Sequence, residues 1–210
     1  MRTKTPVQAE KILEAAARLF GTQRFDQVRM DDIAADAEVG KGTLYRYFSD
    51  KEDLFLALLT RCSEQFLQRM EGVVAGGGSP RDRLEAVVET VINEFDENPH
   101  LLNLLMRAEV LAEGGRAFPW QDTREKLPQM VIGLFQEAEA RGEFSVRDPE
   151  LMVLVLLGGI RAIIRFGDKP RPKGLSRRIV ENFLNGTNAL RDVAVASSSH
   201  LRTTVRTGRV

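Results

Sequence analysis

The chain has 210 residues, 43% hydrophobic and 29% charged, a balance that excludes disorder throughout. At roughly 100–200 residues per domain there is room for one large domain or two small ones. Thirty Lys and Arg side chains balance thirty Asp and Glu, so net charge alone gives no support to nucleic-acid binding. One cysteine, Cys62, excludes an internal disulfide framework and points to a reducing compartment, the cytoplasm. With His100 and His200 as the histidines beside that thiol, no Cys/His zinc cluster can be assembled. Met1–Glu10 lacks the apolar stretch of a secretory leader. The longest apolar run, Leu151–Ile160, ends at Arg161, too short to span a bilayer. The expectation is a soluble cytoplasmic protein with no membrane partner.

Ile12, Ala16, Leu19 and Phe20 recur at i, i+4, i+7 and i+8, which predicts a first helix of about four turns ended by Gly21. A second, short helix is predicted over about Met30–Asp36, with Ile33 and Ala34 inward. After a turn through Ala37, Glu38 and Val39, a third covers Lys41–Phe48. Ser49 reads as the N-cap of a fourth, with Glu52 closing a Ser-x-x-Glu capping box before Leu54, Phe55, Leu58 and Leu59. Gly76-Gly77-Gly78-Ser79-Pro80 is the clearest break in the chain. Longer helices are predicted beyond it, over about Arg81–Glu97, Pro99–Glu113, Trp120–Arg141, Pro149–Phe166 and Leu175–Arg191. The Ser/Thr/Arg-rich segment 192–210 reads as a disordered polar tail. No alternating strand pattern competes, so the expected fold is all-α with about nine helices.

The third helix discriminates between a plain three-helix core and a helix-turn-helix. Leu44 and Phe48, four apart, face inward with Ile33 and Val39. That leaves Lys41, Thr43, Tyr45, Arg46 and Tyr47 outward, where a merely solvated helix carries Glu, Gln and Lys. DNA fits such a surface. A lysine or arginine reaches guanine edges, a Thr methyl meets thymine, and Tyr hydroxyls donate to phosphate. Gly42 lets the backbone approach a duplex, and Lys51 adds a cation near a helix N-terminus.

These pieces stand in a telling order: Ile12-Leu-Glu-Ala-Ala-Ala-Arg-Leu-Phe20, Asp32-Ile-Ala-Ala35, Val39-Gly-Lys-Gly-Thr-Leu-Tyr-Arg-Tyr-Phe48 and Lys51-Glu-Asp-Leu54. The stretch Ile12–Leu59 resembles the DNA-binding domain of the TetR family of transcriptional regulators. By that resemblance Lys41, Gly42, Thr43, Tyr45 and Tyr47 occupy positions that the family uses on DNA. Tyr45 and Lys51 match its phosphate-contacting tyrosine and lysine, and Lys41 and Thr43 match positions that reach bases. Arg46 faces either a groove wall or solvent. Three residues depart from the pattern. Glu38 stands where the turn usually has Gly, Gly40 where the N-cap is Ser or Thr, and Met30 where a Thr commonly starts the second helix. Residues 1–55 carry nine basic and ten acidic side chains, so two copies on one duplex are expected for useful affinity. Arg2 and Lys4 either reach the DNA or belong to a frayed terminus.

The resemblance implies three segments: a DNA-binding head over 1–55, a helical effector-binding and dimerisation domain over 56–191, and the tail. A dimer interface is implied on the last two long helices, through Leu151, Val155, Gly158, Gly159, Ile179, Phe183, Thr187 and Leu190; the alternative is plain core. A pocket for a small apolar or amphipathic effector is implied among Phe66, Met70, Phe95, Leu102, Met106, Trp120, Met130 and Phe135, with plain core again the alternative. Glu109 and Arg161 are pocket charges or surface, His100 solvated or capping, and Cys62 packed or half-exposed. No Ser/His/Asp set, paired carboxylates or phosphate loop is legible, so no enzyme, metal or cofactor is expected. The reading is a homodimeric repressor on a palindromic double-stranded operator, released by a small molecule. The alternative is a protein-binding adaptor that keeps the fold without the operator.

Overall fold

A computed structural model describes residues 5–98, 101–115 and 117–186. Among these the chain is all helical, with no strand. The elements are α1 (Pro6–Thr22), a 3-10 turn (Phe25–Gln27), α2 (Met30–Asp36), α3 (Lys41–Tyr47), α4 (Lys51–Val74), α5 (Pro80–Glu97), α6 (Leu101–Glu113), α7 (Gln121–Ala140) and α8 (Pro149–Phe166). A ninth helix, α9, covers 175–186 up to the last described residue. The predicted continuation to Arg191, the tail 192–210, and Arg2, Lys4, Thr187, Leu190, His100 and His200 lie outside the described residues.

The chain divides into two compact units. One runs to Met70 and also takes in Asn93–Leu127; the other takes Glu71–Ile92 and the chain from Pro128 onward. In the first, α1 buries Ile12, Ala15, Ala16 and Phe20, the face that its periodicity predicts. Phe20, Phe25 and Phe55 meet there, with ring centroids 5.1–5.7 Å apart. Ile33, Leu44, Leu54 and Phe55 are fully buried alongside. Trp120 is buried with its indole N–H donating to the carbonyl of Leu59 at 3.1 Å, and the hydroxyls of Ser63 and Thr123 pair at 2.8 Å. These three buried polar side chains are thus matched, as a low-dielectric interior requires. In the second unit Phe135 packs against Phe144 and Phe183, and Val180 and Leu184 line the buried face of α9.

Helix ends differ from the sequence expectation at two places. Gly21 does not end α1; the helix runs on to Thr22, and Gln23 continues in extended backbone with φ −126°. No left-handed residue is needed there, because Gln23 N–H still reaches the Leu19 carbonyl and Thr22 Oγ1 caps Arg18. The start of α4 is capped by Asp50, not Ser49. Asp50 accepts from the N–H of Asp53 at 2.7 Å, and Asp53 accepts from the N–H of Ser49 at 2.9 Å. A short carboxylate pair, shifted by one residue, replaces the Ser49/Glu52 box, leaving Glu52 for Arg107 at 3.4 Å.

The turn between α2 and α3 is strained at Glu38, which stands where the turn usually has Gly. Val39 N–H bonds Ala34 O and Glu38 N–H bonds Ala35 O, a Schellman closure with Glu38 at φ 55°. The same closure ends α7, where Gly142 takes that position at φ 71°. A left-handed non-glycine residue costs about 1–2 kcal/mol, and a glycine's extra unfolded-state freedom returns about 0.4–1 kcal/mol. Relief of strain wins. Glu38→Gly is expected to stabilise the fold by about 0.5–1 kcal/mol, read as a higher urea midpoint; an unchanged midpoint would mean the turn is unstrained.

The start of α5 is a reciprocal box. Ser79 Oγ accepts from the Asp82 N–H at 3.1 Å, and Asp82 Oδ2 accepts from the Ser79 N–H at 3.1 Å and its hydroxyl at 2.8 Å. Those Ser79 bonds hold the Asp82 carboxyl below its ordinary value of 3.8. A depressed folded pKa means the cap contributes fully above 3.8 and is lost as pH falls through the lower folded value. Asp82→Asn is therefore expected to show a shallower acid-side fall in stability than the parent, checked by thermal melts across that range. Identical acid limbs would remove Asp82 from the titration.

Candidate nucleic-acid interface

The third helix buries Leu44 completely, and Phe48, its C-cap, is buried beside it. That fixes which face looks outward. Gly40 is the N-cap, extended at φ −66°, ψ 145°, and gives no side-chain cap. Lys41, Gly42 and Tyr45 are exposed, Tyr45 at 44%, and Thr43 is half-buried. A Cβ built on Gly42 meets nothing within 4 Å, so its backbone is open to a close neighbour.

Lys41 does not stand alone. Its ammonium lies 2.9 Å from Asp31 Oδ1 and 3.0 Å from Oδ2, on the first turn of α2. That hydrogen bond, and then the charge, hold the Lys41 pKa above its ordinary 10.5. Arg29, an exposed residue at the N-cap of α2, lines a depression of about 520 Å³ together with Asp31, Lys41, Tyr45 and Lys51. Arg29 is absent from the sequence-predicted set. Its signal was its place just ahead of a helix whose start is marked by two aspartates.

Tyr47 and Lys51 are placed differently from an outward reading. Tyr47 is half-buried; its hydroxyl accepts from the Thr5 N–H at 2.5 Å and lies 3.0 Å from Gln8 Oε1, joining α3 to the start of α1. Arg46 is half-buried too, its guanidinium 5.5 Å from the Tyr47 ring centroid. Lys51 donates to the carbonyls of Phe25 at 2.9 Å and Val28 at 3.1 Å, with its ammonium 4.4 Å from the Phe25 ring. Those carbonyls close the 3-10 turn, which has no helix of its own to satisfy them. Arg107 of α6 also approaches the Phe25 ring, at 3.9 Å, and pairs with Glu52. Of the sequence-predicted set on α3, Lys41, Gly42 and Tyr45 are thus the exposed members, with Thr43 at their edge.

The sequence-predicted pocket residues fall in both units. Phe66 and Trp120 stack at 5.4 Å and Phe95 lies 6.4 Å from Trp120, with Met70 fully buried, Leu102 half-buried and Met106 exposed. Met130 is half-buried and Phe135 buried in the second unit. Glu109 pairs with Arg124 at 2.6 Å, and Arg161 is exposed. Cys62 is half-buried; burial, then the charge of Glu94, push its thiol pKa above the ordinary 9.0, which favours the unreactive thiol. Along α8, Val153, Leu156 and Ile160 are buried, while Leu151, Leu154 and Val155 are 53–62% exposed and Phe166 78%. Gly158 and Gly159 lie open on that outer side. Phe183 is half-buried, stacked on Phe135 at 5.9 Å, and Ile179 is half-buried. Among the described residues no helix is long and apolar enough to cross a membrane.

Two family models match this arrangement. Residues 12–58 match the bacterial regulatory proteins of the tetR family, and 77–165 match a tetracyclin repressor-like C-terminal domain. The chain belongs to the TetR family. The first match spans α1 through the start of α4, the helices that position Lys41 and Tyr45. Among TetR-family relatives, the HTH-type transcriptional repressor KstR of Mycolicibacterium smegmatis is 32% identical over 134 residues, 64% of each chain. The fatty acid metabolism regulator protein of Bacillus subtilis is 31% identical over 88 residues, 42% of this chain and 45% of that one. The chain thus spans less than two thirds of the length of these relatives. In fold it is similar to a TetR-family regulator from Mesorhizobium loti, with TM-score 0.71 and 23% identity over 90% of this chain and 98% of that one. It is also similar to FadR from Bacillus subtilis, solved with stearoyl-CoA, with TM-score 0.64 and 22% identity over 84% and 98%.

Proposed function

We propose that this TetR-family chain is a cytoplasmic DNA-binding transcriptional repressor that acts as a homodimer on a palindromic operator and is released by a small amphipathic effector. The observation that carries the reading is the exposed surface of α3. Lys41, Gly42 and Tyr45 stand together on a short helix whose opposite face is locked by fully buried Leu44. In the major groove Lys41 and Thr43 meet base edges, and the Tyr45 hydroxyl donates to a phosphate oxygen. Arg46 flanks that surface. Tyr47 and Lys51 keep α3 and the 3-10 turn in position.

One such helix reads only a few base pairs, so two copies related by a two-fold axis are needed. The apolar outer side of α8 supports a partner there: Leu151, Val155, Gly158 and Gly159, joined by Leu154 and Phe166. Ile179 and Phe183 extend that proposed interface along α9; Thr187 and Leu190, outside the described residues, remain part of the set expected from the sequence. An exposed apolar stripe of this extent on a soluble chain marks an interaction face.

The effector is proposed among Phe66, Met70, Phe95, Leu102, Met106 and Trp120, all in the first unit, where aromatic and thioether groups suit an apolar chain; Met130 and Phe135 belong to the second unit and are not part of it. The FadR neighbour, solved with stearoyl-CoA, makes a fatty acyl thioester the first compound to test. An effector that separates those side chains displaces α4, whose first residue, Lys51, holds the head's 3-10 turn. Effector and operator then oppose each other through a reciprocal coupling of about 1–3 kcal/mol. The test is selection of genomic DNA fragments by the purified protein and by Tyr45→Ala. One palindromic motif recovered by the parent alone is the expected result. No enrichment at low salt would sink the reading.

A further inference from the structure

We propose that Asp31 sets the DNA specificity of this head by holding Lys41 against capture by backbone phosphate. The inference rests on the DNA-binding reading above. Asp31 sits in the first turn of α2, where the helix N-terminus favours a carboxylate. Lys41 is the first residue of α3. Both carboxylate oxygens lie within 3.0 Å of the ammonium, so the pair is two-pronged. It is also open to water, with side chains 63% and 61% exposed, and such pairs hold only weakly. The latch is therefore easy to break but present in the free protein.

Its effect on DNA follows from what each kind of contact offers. A phosphate that takes Lys41 brings a negative charge next to the Asp31 carboxylate, and that repulsion is met on any sequence. Asp26 and Asp50 line the same depression, as do Arg29 and Lys51, so the repulsion that the phosphate meets comes from the lysine's own partner, Asp31. A matched base edge takes Lys41 as part of a set, with Thr43, Tyr45 and the open backbone at Gly42 contributing at the same time. Non-specific binding is supplied by phosphate neutralisation alone, so the carboxylate weakens it more than it weakens the operator complex. Lys51 and Arg46 do not substitute for the held lysine. The one is bonded to two carbonyls and the other lies against Tyr47.

The experiment measures affinity by fluorescence anisotropy for a selected operator duplex and for a random-sequence duplex between 50 and 200 mM salt, roughly the range over which phosphate contacts dominate. The parent, Asp31→Asn, Asp31→Glu and Asp31→Asn in a Lys41→Gln background are compared, with helical circular dichroism confirming the fold. Asp31→Asn is expected to bind random duplex about five-fold tighter, with a salt slope steeper by about one contact. Its operator affinity rises less, so the ratio of operator to random affinity falls. Asp31→Glu keeps the parent ratio, and the gain shrinks when Lys41 is Gln. An unchanged random-duplex affinity and slope in Asp31→Asn would overturn the proposal, as would a loss of operator affinity showing that the carboxylate itself contacts DNA. A parent that binds neither duplex would sink the DNA-binding reading and this inference with it.

Discussion

Phe55→Ala is expected to destabilise the protein by about 3–5 kcal/mol, the range for truncating a fully buried aromatic ring. Phe55 has no exposed surface and lies edge-on to both Phe20 and Phe25. Three elements meet at this ring: α1 brings Phe20, the 3-10 turn brings Phe25, and α4 brings Phe55 itself. Loss of the ring opens a cavity and removes two aromatic contacts of about 0.5–1.5 kcal/mol each. Domains have only about 5–15 kcal/mol in hand, so the variant is left marginal at 37 °C. An exposed ion pair is a useful contrast. Arg18 and Asp36 lie 2.8 Å apart with side chains 59% and 39% exposed, and breaking them should cost at most about 1 kcal/mol. Urea denaturation followed by circular dichroism measures both. A cost below about 1 kcal/mol for Phe55→Ala would mean the three rings are not the centre of the head's core.

Leu154→Glu is expected to leave the protomer folded and to abolish the proposed dimer. Leu154 is 62% exposed beside Leu151 and Val155, so a carboxylate is tolerated in a single chain. At an apolar two-fold interface it is placed twice, and each unpaired charge there costs several kcal/mol. Sedimentation velocity should show a monomer, with operator affinity lowered on the order of 100-fold or more as one half-site is lost. A Leu154→Glu protein that sediments as the parent does would move the dimer interface away from α8.

The fold was legible in the sequence because its helices are strongly periodic and sharply bounded. Met30–Asp36 was read with the bounds that it has, and Glu38 was marked as standing where the turn usually has Gly, the position that is left-handed here at φ 55°. Where reading failed locally, the competing residues were chemically close. Asp50 and Asp53 cap α4 in place of Ser49 and Glu52, one register away, because carboxylates are stronger acceptors. Gly21 could signal a stop only by turning left-handed itself, and it instead stays within α1, which runs on to Thr22.

The site was less legible, since its side chains are set by distant partners. Tyr47 is claimed by Thr5 and Gln8, about forty residues back, and Lys51 by Phe25 and Val28. No local period reports those bonds. Asp31 and Lys41 stand ten residues apart on different helices, and only the turn geometry brings them together. The outer side of α8 was half-read. Leu151 and Val155 were picked out, but Leu154 and Phe166 were missed because apolar residues surround this helix and periodicity cannot say which side is covered.

The most direct test of the account is a hydroxyl-radical footprint of the parent protein on the duplex that it selects. Two copies of α3 in the major groove predict two protected patches centred about 10–10.5 base pairs apart, or a multiple of that spacing, both lost with Tyr45→Ala. A single patch, or no protection on a duplex that the protein retains, would contradict a two-fold reader built on this helix.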